Sequence, residues 1–142
     1  MFSMLQNLIL LIAIAALAPV TTHAKIHKYT AEKDSFEGVY FSAVTKKAPG
    51  IVLIPNWMGV SPEAEKQAQR FQKLGYNVFI ADVYGAGIRP KNSQEANALA
   101  TKYKADRKLL RARVHFAIQE LTKQNGVDAE RIAVLGYCFG GT

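Results

Sequence analysis

The chain has 142 residues, 49% of them apolar, and its 18 lysines and arginines against 11 acidic residues give a net charge of +7. This composition excludes a disordered chain, a collagen-like repeat and a membrane protein with several spans. A single cysteine excludes an internal disulfide framework and a cysteine-rich zinc site. The basic residues are spread along the chain, mostly at the spacing of a solvated helix surface, so we expect no nucleic-acid partner.

The amino-terminal segment has the pattern of a secretory signal peptide. Residues 1–24 contain no charged side chain, residues 8–18 form an unbroken apolar run, and the small residues Thr22 and Ala24 precede a cleavage point after Ala24. The run is shorter than the roughly 20 apolar residues of a membrane span. We therefore expect export to the periplasm or the cell exterior, with a domain over 25–142 and no stable membrane span after cleavage. Because no lysine or arginine precedes the run, an uncleaved anchor is the alternative.

The first part of the domain is predicted to be β-structure. Two segments rich in residues that favour β-strands, 26–29 and 36–44, flank a polar turn at 31–34, and this pattern predicts a hairpin. A proline and a glycine at 49–50 are expected to form a turn or loop that interrupts the β-structure. The continuous aliphatic run at 51–54 then predicts a strand buried on both faces, as in a parallel sheet.

A strand–helix–strand unit follows. Ser61 and Pro62 have the residue types of a helix N-cap and first position, and Gly75 is predicted to end that helix. The apolar run at 78–81 predicts the next buried strand, which ends at Asp82. Such a unit is expected to cross over right-handed.

The remaining elements continue the alternation. Asn92 with Glu95 resembles a capping box, and it opens a helical stretch over 93–124 that is expected to break near 104–106. Residues 132–135 predict a third buried strand. The order predicts an α/β fold with a mostly parallel sheet, whose ligands bind beyond the carboxyl ends of the strands.

A catalytic site is predicted at the segment 136–141, which follows the third predicted strand. We call this segment the elbow. Gly136, Cys138 and Gly140 form a glycine–x–nucleophile–x–glycine motif with cysteine where serine is usual. In such a turn the residues two before and two after the nucleophile come close together, so a Cβ at either place would clash. The N–H of Phe139 would face a developing oxyanion, and the start of a helix would favour the thiolate. The alternative is a buried structural cysteine.

Three segments together resemble the dienelactone hydrolase family. They are the elbow preceded by residues 131–135, the segment 51–60 with its Asn-Trp-Met-Gly turn, and the segment 74–85. The resemblance covers about residues 35–142. It implies an α/β-hydrolase fold and a Cys-His-Asp triad that hydrolyses a small-molecule ester or lactone, without a metal ion or an organic cofactor. It also implies that the N–H of Trp57 is the second oxyanion donor.

The sequence departs from the family pattern in two ways. Asn56 stands where family members carry a glutamate, and an amide cannot accept a proton as a base, although it could hydrogen-bond the thiol or the substrate carbonyl. The family's aspartate and histidine follow the nucleophile, so we expect them in a carboxyl-terminal part beyond residue 142. His115 is expected on a helix surface, His27 far from the elbow, and Asp82 as a loop anchor.

Two further residues are candidates for substrate contacts. Tyr84 and Arg89 lie in a loop at the same end of the sheet, where they could line the mouth of a site, and Arg89 could pair with a substrate carboxylate. The alternatives to a hydrolase are a non-catalytic binding protein on the same scaffold and a redox protein, and the latter is weakened because no second cysteine is present. Residues 25–142 alone are expected to fold poorly and to be inactive.

Overall fold

The computed structural model describes residues 24–142 of the chain. The predicted signal peptide therefore lies outside the described residues, apart from Ala24, and its cleavage stays a prediction. Within residues 24–142, no helix is long and apolar enough to cross a membrane.

Five strands, three helices and a final 3₁₀ turn make up the fold. In chain order they are β1 (Ala24–Ala31), β2 (Asp34–Phe41), β3 (Ala48–Ile54), α1 (Pro62–Lys73), β4 (Asn77–Ile80), α2 (Ser93–Ala105), α3 (Arg107–Thr122), β5 (Val127–Gly136) and the turn Cys138–Gly141. The predicted hairpin and all three predicted strands at 51–54, 78–81 and 132–135 are present, although each strand begins earlier than its apolar run. The predicted burial of residues 132–135 is wrong, because β5 is an edge strand of the described sheet and Val134 is 47% exposed.

The strands form one mixed sheet in the order β1-β2-β4-β3-β5. The hairpin strands β1 and β2 are antiparallel, and β2 also pairs with β4 in antiparallel orientation. β3 runs parallel to both of its neighbours, β4 and β5. The predicted α/β architecture with a parallel centre is confirmed, and the carboxyl ends of β3, β4 and β5 lie at one edge of the sheet.

The predicted interruption at residues 49–50 is wrong. Pro49 and Gly50 lie inside β3, where the pairing with β5 shifts register between them. A proline lacks an N–H donor, and such an irregularity is where a strand tolerates it. A Cβ on Gly50 would stand 2.7 Å from Ile132 and 2.9 Å from Leu121. This glycine therefore allows α3 to pack closely on the sheet and does not make a turn.

The predicted helix ends are confirmed. The Ser61 side chain accepts a hydrogen bond from the N–H of Ala64, with Pro62 as the first helical residue, and Gly75 follows α1 with a φ of +95°. Asn92 caps α2 by accepting from the N–H of Glu95 at 2.9 Å. These local bonds satisfy N–H groups that have no partner inside the helix.

The long helical stretch breaks where it was predicted to break. Asp106 is the C-cap of α2 and the N-cap of α3, and its side chain accepts from the N–H of Leu109 at 2.9 Å. From there α3 packs across one face of the sheet, where Ala117 and Leu121 are fully buried.

The core has two layers, one on each face of the sheet. On the α3 side, Val52, Phe79 and Phe139 belong to a cluster rich in aromatic rings. On the α1 side, aliphatic residues such as Leu53 and Ile80 pack against small helix residues. Alternate residues of β3 face opposite layers, as the run of apolar residues at 51–54 predicts.

Candidate active site

The elbow holds a cysteine in a strained backbone conformation. β5 ends at Gly136, and Cys138 follows with a φ of +51°, in the left-handed region. A residue with a Cβ costs roughly 1–3 kcal/mol there, so the surrounding structure must hold it in place. Such strain concentrates at functional sites, where it directs a side chain away from the sheet.

The two glycines that flank Cys138 are required by the space around them. A Cβ built on Gly136 would stand 2.0 Å from the carbonyl oxygen of Gly140, and one built on Gly140 would stand 2.3 Å from that of Ile54. Both contacts are with backbone atoms, which cannot move aside as a flexible side chain can. The predicted close approach two residues before and after the cysteine is therefore confirmed.

Backbone contacts join the elbow to the end of β3. The N–H of Tyr137 donates to the carbonyl oxygen of Ile54 at 3.2 Å. The Cα of Gly140 lies against the same peptide and against the carbonyl oxygen of Pro55, which would be 2.8 Å from an added Cβ. The residues that follow Pro55 are thus brought beside the elbow.

The residues that follow form a tight turn, 56–59, which we call the β3–α1 turn. The N–H of Gly59 donates to the carbonyl oxygen of Asn56 at 3.0 Å, and the N–H of Met58 donates to the Asn56 side-chain oxygen at 2.9 Å. Gly59 has a φ of +67°, which favours glycine. The remaining side-chain nitrogen of Asn56 donates to Glu63 at 3.0 Å. The partners of Asn56 in the structure are therefore Met58, Gly59 and Glu63, and its predicted contact with thiol or substrate stays a prediction.

The two N–H groups predicted as oxyanion donors are unoccupied. Across residues 24–142, neither the N–H of Trp57 nor that of Phe139 donates a hydrogen bond. Trp57 is 36% exposed, whereas the Phe139 ring is buried. The contacts of the elbow with β3 bring both residues to the same edge of the sheet, and their role as oxyanion donors stays a prediction.

Cys138 itself is exposed and free. Within the described part of the chain, no histidine or carboxylate forms a hydrogen bond with its sulfur. The Nε2 of His27 lies 2.9 Å from a carboxylate oxygen of Glu120, and His115 is exposed on α3 beside Gln119. No group of three metal-ligating side chains occurs in residues 24–142 either.

Tyr84 lies beneath the β3–α1 turn. It is 1% exposed, and its hydroxyl donates to the carbonyl oxygen of Trp57 at 2.8 Å. Its ring lies 5.7 Å from the ring of Phe139. Burial, with a smaller contribution from Tyr103, raises the pKa of Tyr84, so the hydroxyl stays protonated and donates. The structure thus places Tyr84 in contact with both residues that carry the unoccupied N–H groups, while its lining of a site mouth stays a prediction.

Arg89 and Asp82 hold the loop after β4 in shape. The buried carboxylate of Asp82 accepts from the N–H of Glu37 at 2.8 Å and from that of Gly85 at 3.0 Å, which confirms the expected loop anchor. Arg89 donates to Asp82, to the carbonyl oxygens of Gly85 and Ile88, and to that of Glu37. Its guanidinium is engaged by the protein, and its predicted pairing with a substrate carboxylate stays a prediction.

Sequence reasoning missed the buried cation that supports Tyr84. Arg113 of α3 is buried, and it donates to the carbonyl oxygens of Val83 and Tyr84 at 2.8 and 3.0 Å and to the hydroxyl of Tyr103 at 2.6 Å. A signal was available, because residue 113 lies three positions after Leu110 on the apolar face of the helix. A charged residue on such a face requires a buried partner.

Comparison with known proteins agrees with this geometry. The family model described as the dienelactone hydrolase family matches residues 36–142. The chain belongs to the dienelactone hydrolase family. A Bradyrhizobium protein named as a probable 2-oxo-3-(5-oxofuran-2-ylidene)propanoate lactonase is 29% identical over 100 residues, which are 70% of this chain and 40% of that protein.

Two solved structures of the family are similar over most of the chain. The protein m3DLH is 31% identical with a TM-score of 0.79, and the match covers 85% of this chain and 51% of that one. P91, a dienelactone hydrolase-like promiscuous phosphotriesterase from metagenomic libraries, is 28% identical with a TM-score of 0.78, over 84% and 51% of the two chains. The chain thus spans about half the length of these dienelactone hydrolase structures.

Proposed function

We propose that this dienelactone hydrolase family member hydrolyses carboxylic esters or lactones with Cys138 as its nucleophile. The observation that carries the proposal is the positive φ of Cys138 between two glycines whose hydrogens face backbone oxygens. The exposure of Cys138 supports the proposal, because a nucleophile must be accessible to its substrate. The names of the relatives, a lactonase and a phosphotriesterase, support a small ester-type substrate.

The reaction would proceed through a thioester. The thiolate of Cys138 attacks the carbonyl carbon, and the electron pair of the carbonyl moves to its oxygen, which the N–H groups of Phe139 and Trp57 stabilise. The carbon–oxygen bond to the alcohol then breaks, and the alcohol takes a proton from a histidine. Water then attacks the thioester and gives a proton to that histidine. The carbon–sulfur bond breaks, and the acid leaves as the thiolate of Cys138 is restored.

The proposed reaction requires a histidine and an aspartate that lie outside residues 24–142. Within that range His27 is paired with Glu120, and Asp82 is occupied by backbone N–H groups. The matches to m3DLH and P91 each cover 51% of the solved structure's chain. We therefore expect both residues in a carboxyl-terminal part of the natural protein.

Substitution of the cysteine tests the proposal in the protein at its full natural length. Cys138→Ala should lower kcat for an activated acyl ester by about a thousandfold or more, because no other group in the elbow can form the thioester. Thr101→Ala, at an exposed position of α2, is the control and should leave kcat unchanged. Turnover that persists in Cys138→Ala would exclude the cysteine mechanism.

A non-catalytic binding protein on this scaffold is the second candidate. It is favoured by the amide at position 56, which is engaged by Met58 and Glu63 instead of the thiol. Alkylation of Cys138 by iodoacetamide distinguishes the two functions. A fast rate at pH 6–7 indicates an activated thiolate and supports the hydrolase, whereas a rate that rises only near pH 8–9 indicates an ordinary thiol.

We also propose that the protein is exported through its amino-terminal segment. The proposal depends on the uncharged, apolar residues 1–24 and on the small residues that precede the cleavage point. Sequencing the amino terminus of the protein from its own host should give Lys25 as the first residue. An intact Met1 on membrane-bound protein would indicate the uncleaved anchor instead.

A further inference from the structure

We propose that Tyr84 is a positioning residue that sets the geometry of the oxyanion hole, an inference that rests on the proposed function. Its hydroxyl donates to the carbonyl oxygen of Trp57 at 2.8 Å, and its ring lies 5.7 Å from that of Phe139. One side chain therefore contacts both residues whose N–H groups would stabilise the oxyanion. No other described hydrogen bond involves the Trp57 carbonyl within residues 24–142.

The bond to Trp57 completes the β3–α1 turn. Within this turn the N–H groups of Met58 and Gly59 are held by Asn56. Tyr84 fixes the Trp57 carbonyl and therefore the peptide between residues 57 and 58. The bond from Gly59 to the Asn56 carbonyl holds the preceding peptide, which carries the Trp57 N–H. The N–H that remains free is that of Trp57, and it is directed by bonds on either side of it. An oxyanion hole requires this kind of preorganisation because its donors must not reorient during the reaction.

The Tyr84 ring defines the spacing between the turn and the elbow. A Cβ built on Gly59 would stand 3.0 Å from the Tyr84 ring, so the turn lies directly on it. The Tyr84 ring also contacts Phe139, whose ring is buried beside it. The ring thus contacts both Gly59 and Phe139, and a smaller side chain would remove a packing contact from each.

Tyr84 can act in this way because it is itself held firmly. Its carbonyl oxygen accepts from Arg113 at 3.0 Å and from the hydroxyl of Tyr103 at 3.1 Å. The rings of Tyr84 and Tyr103 lie 5.4 Å apart. The contacts link the oxyanion hole to α2 and α3, so its geometry depends on helices that bear none of the proposed catalytic groups.

Removal of the hydroxyl tests the role while the ring remains. In the full-length protein, Tyr84→Phe should lower kcat by about tenfold with KM unchanged, less than the roughly 10²–10³-fold loss of a whole donor. Its affinity for a trifluoromethyl ketone that forms an oxyanion on Cys138 should fall by the same factor. Its rate of alkylation by iodoacetamide should not change, because that reaction develops no oxyanion.

Tyr40→Phe is the matched control. It removes another tyrosine hydroxyl that makes a 2.8 Å bond, to Asn77 at the amino end of β4, away from the elbow. The control should lose stability without a change in kcat. If Tyr84→Phe behaves in the same way, the role of Tyr84 is structural and the inference is overturned. If Cys138→Ala also retains turnover, the proposed function itself fails.

A second variant decides the question if Tyr84→Phe does not fold. Tyr103→Phe leaves the bond between Tyr84 and Trp57 in place but removes one of the two donors to the Tyr84 carbonyl. We expect a loss in kcat of severalfold with KM and the alkylation rate unchanged. An unchanged kcat in this variant would overturn the inference.

Discussion

Gly140 lies where the elbow passes closest to the end of β3, and Gly140→Ala tests whether this approach sets the site. A Cβ at this position would stand 2.3 Å from the carbonyl oxygen of Ile54, whereas real Cβ contacts stay above 3.0 Å. The elbow and β3 must therefore separate by roughly 0.7 Å in an interior that packs as densely as a crystal. Overpacking of this kind costs about 1–3 kcal/mol, and we expect the upper end because both partners are backbone.

The neighbouring glycine provides the control. A Cβ on Gly141 would meet nothing nearer than the carbonyl oxygen of Gly136 at 3.5 Å, an ordinary contact. Urea denaturation of the full-length protein should show Gly140→Ala about 2–3 kcal/mol less stable than Gly141→Ala. Because a shift approaching 1 Å can cost about a hundredfold in rate, kcat should fall in Gly140→Ala alone. Equal stability and equal kcat in the two variants would refute the reasoning.

Two further predictions concern the body of the fold. Asn77→Ala should lower the free energy of unfolding by about 3 kcal/mol or more, because it removes the bonds of this buried side chain to the Tyr40 hydroxyl, the Ala43 N–H and the Ala48 carbonyl oxygen. Asn97→Ala, at an exposed position of α2, should have little effect in the same denaturation assay. Burial alone would raise the pKa of Glu120, but the hydrogen bonds from Lys123 and His27 outweigh it and lower that pKa below its ordinary value of 4.5. The stability that ionised Glu120 contributes is therefore complete above pH 4.5 and is lost as the pH falls through the lowered pKa. Glu120→Gln should melt at a lower temperature than the natural protein at neutral pH, and this difference should vanish at low pH. A difference that stays constant with pH would contradict the assignment.

Local physics made much of the fold predictable. The caps at Ser61 and Asn92 depend on residues three positions apart, and the strand at 51–54 depends on a continuous apolar run. The clash at Gly136 and Gly140 follows from the geometry of any tight turn between a strand and a helix. Each of these features is decided within a few residues, so the sequence contains the necessary information.

The features that sequence reasoning missed depend on distant contacts. Gly50 has the residue type of a turn, yet it lies in a strand because Leu121 and Ile132 pack against it. The contacts of Tyr84 with Trp57 and Phe139 join it to residues 27 and 55 positions away along the chain. The burial of Arg113 similarly requires Tyr103 and the loop after β4 as partners. A local pattern cannot show which loops will meet.

The central claim is that Cys138 forms a covalent bond with the acyl group of a substrate. The most direct measurement is the mass of the full-length protein, quenched in acid within milliseconds of mixing with an activated ester, followed by peptide mapping. The account predicts a transient mass increase equal to the acyl group on the peptide that contains Cys138, the single cysteine of this sequence. Steady hydrolysis with no acylated peptide, or with the acyl group on a different residue, would contradict it.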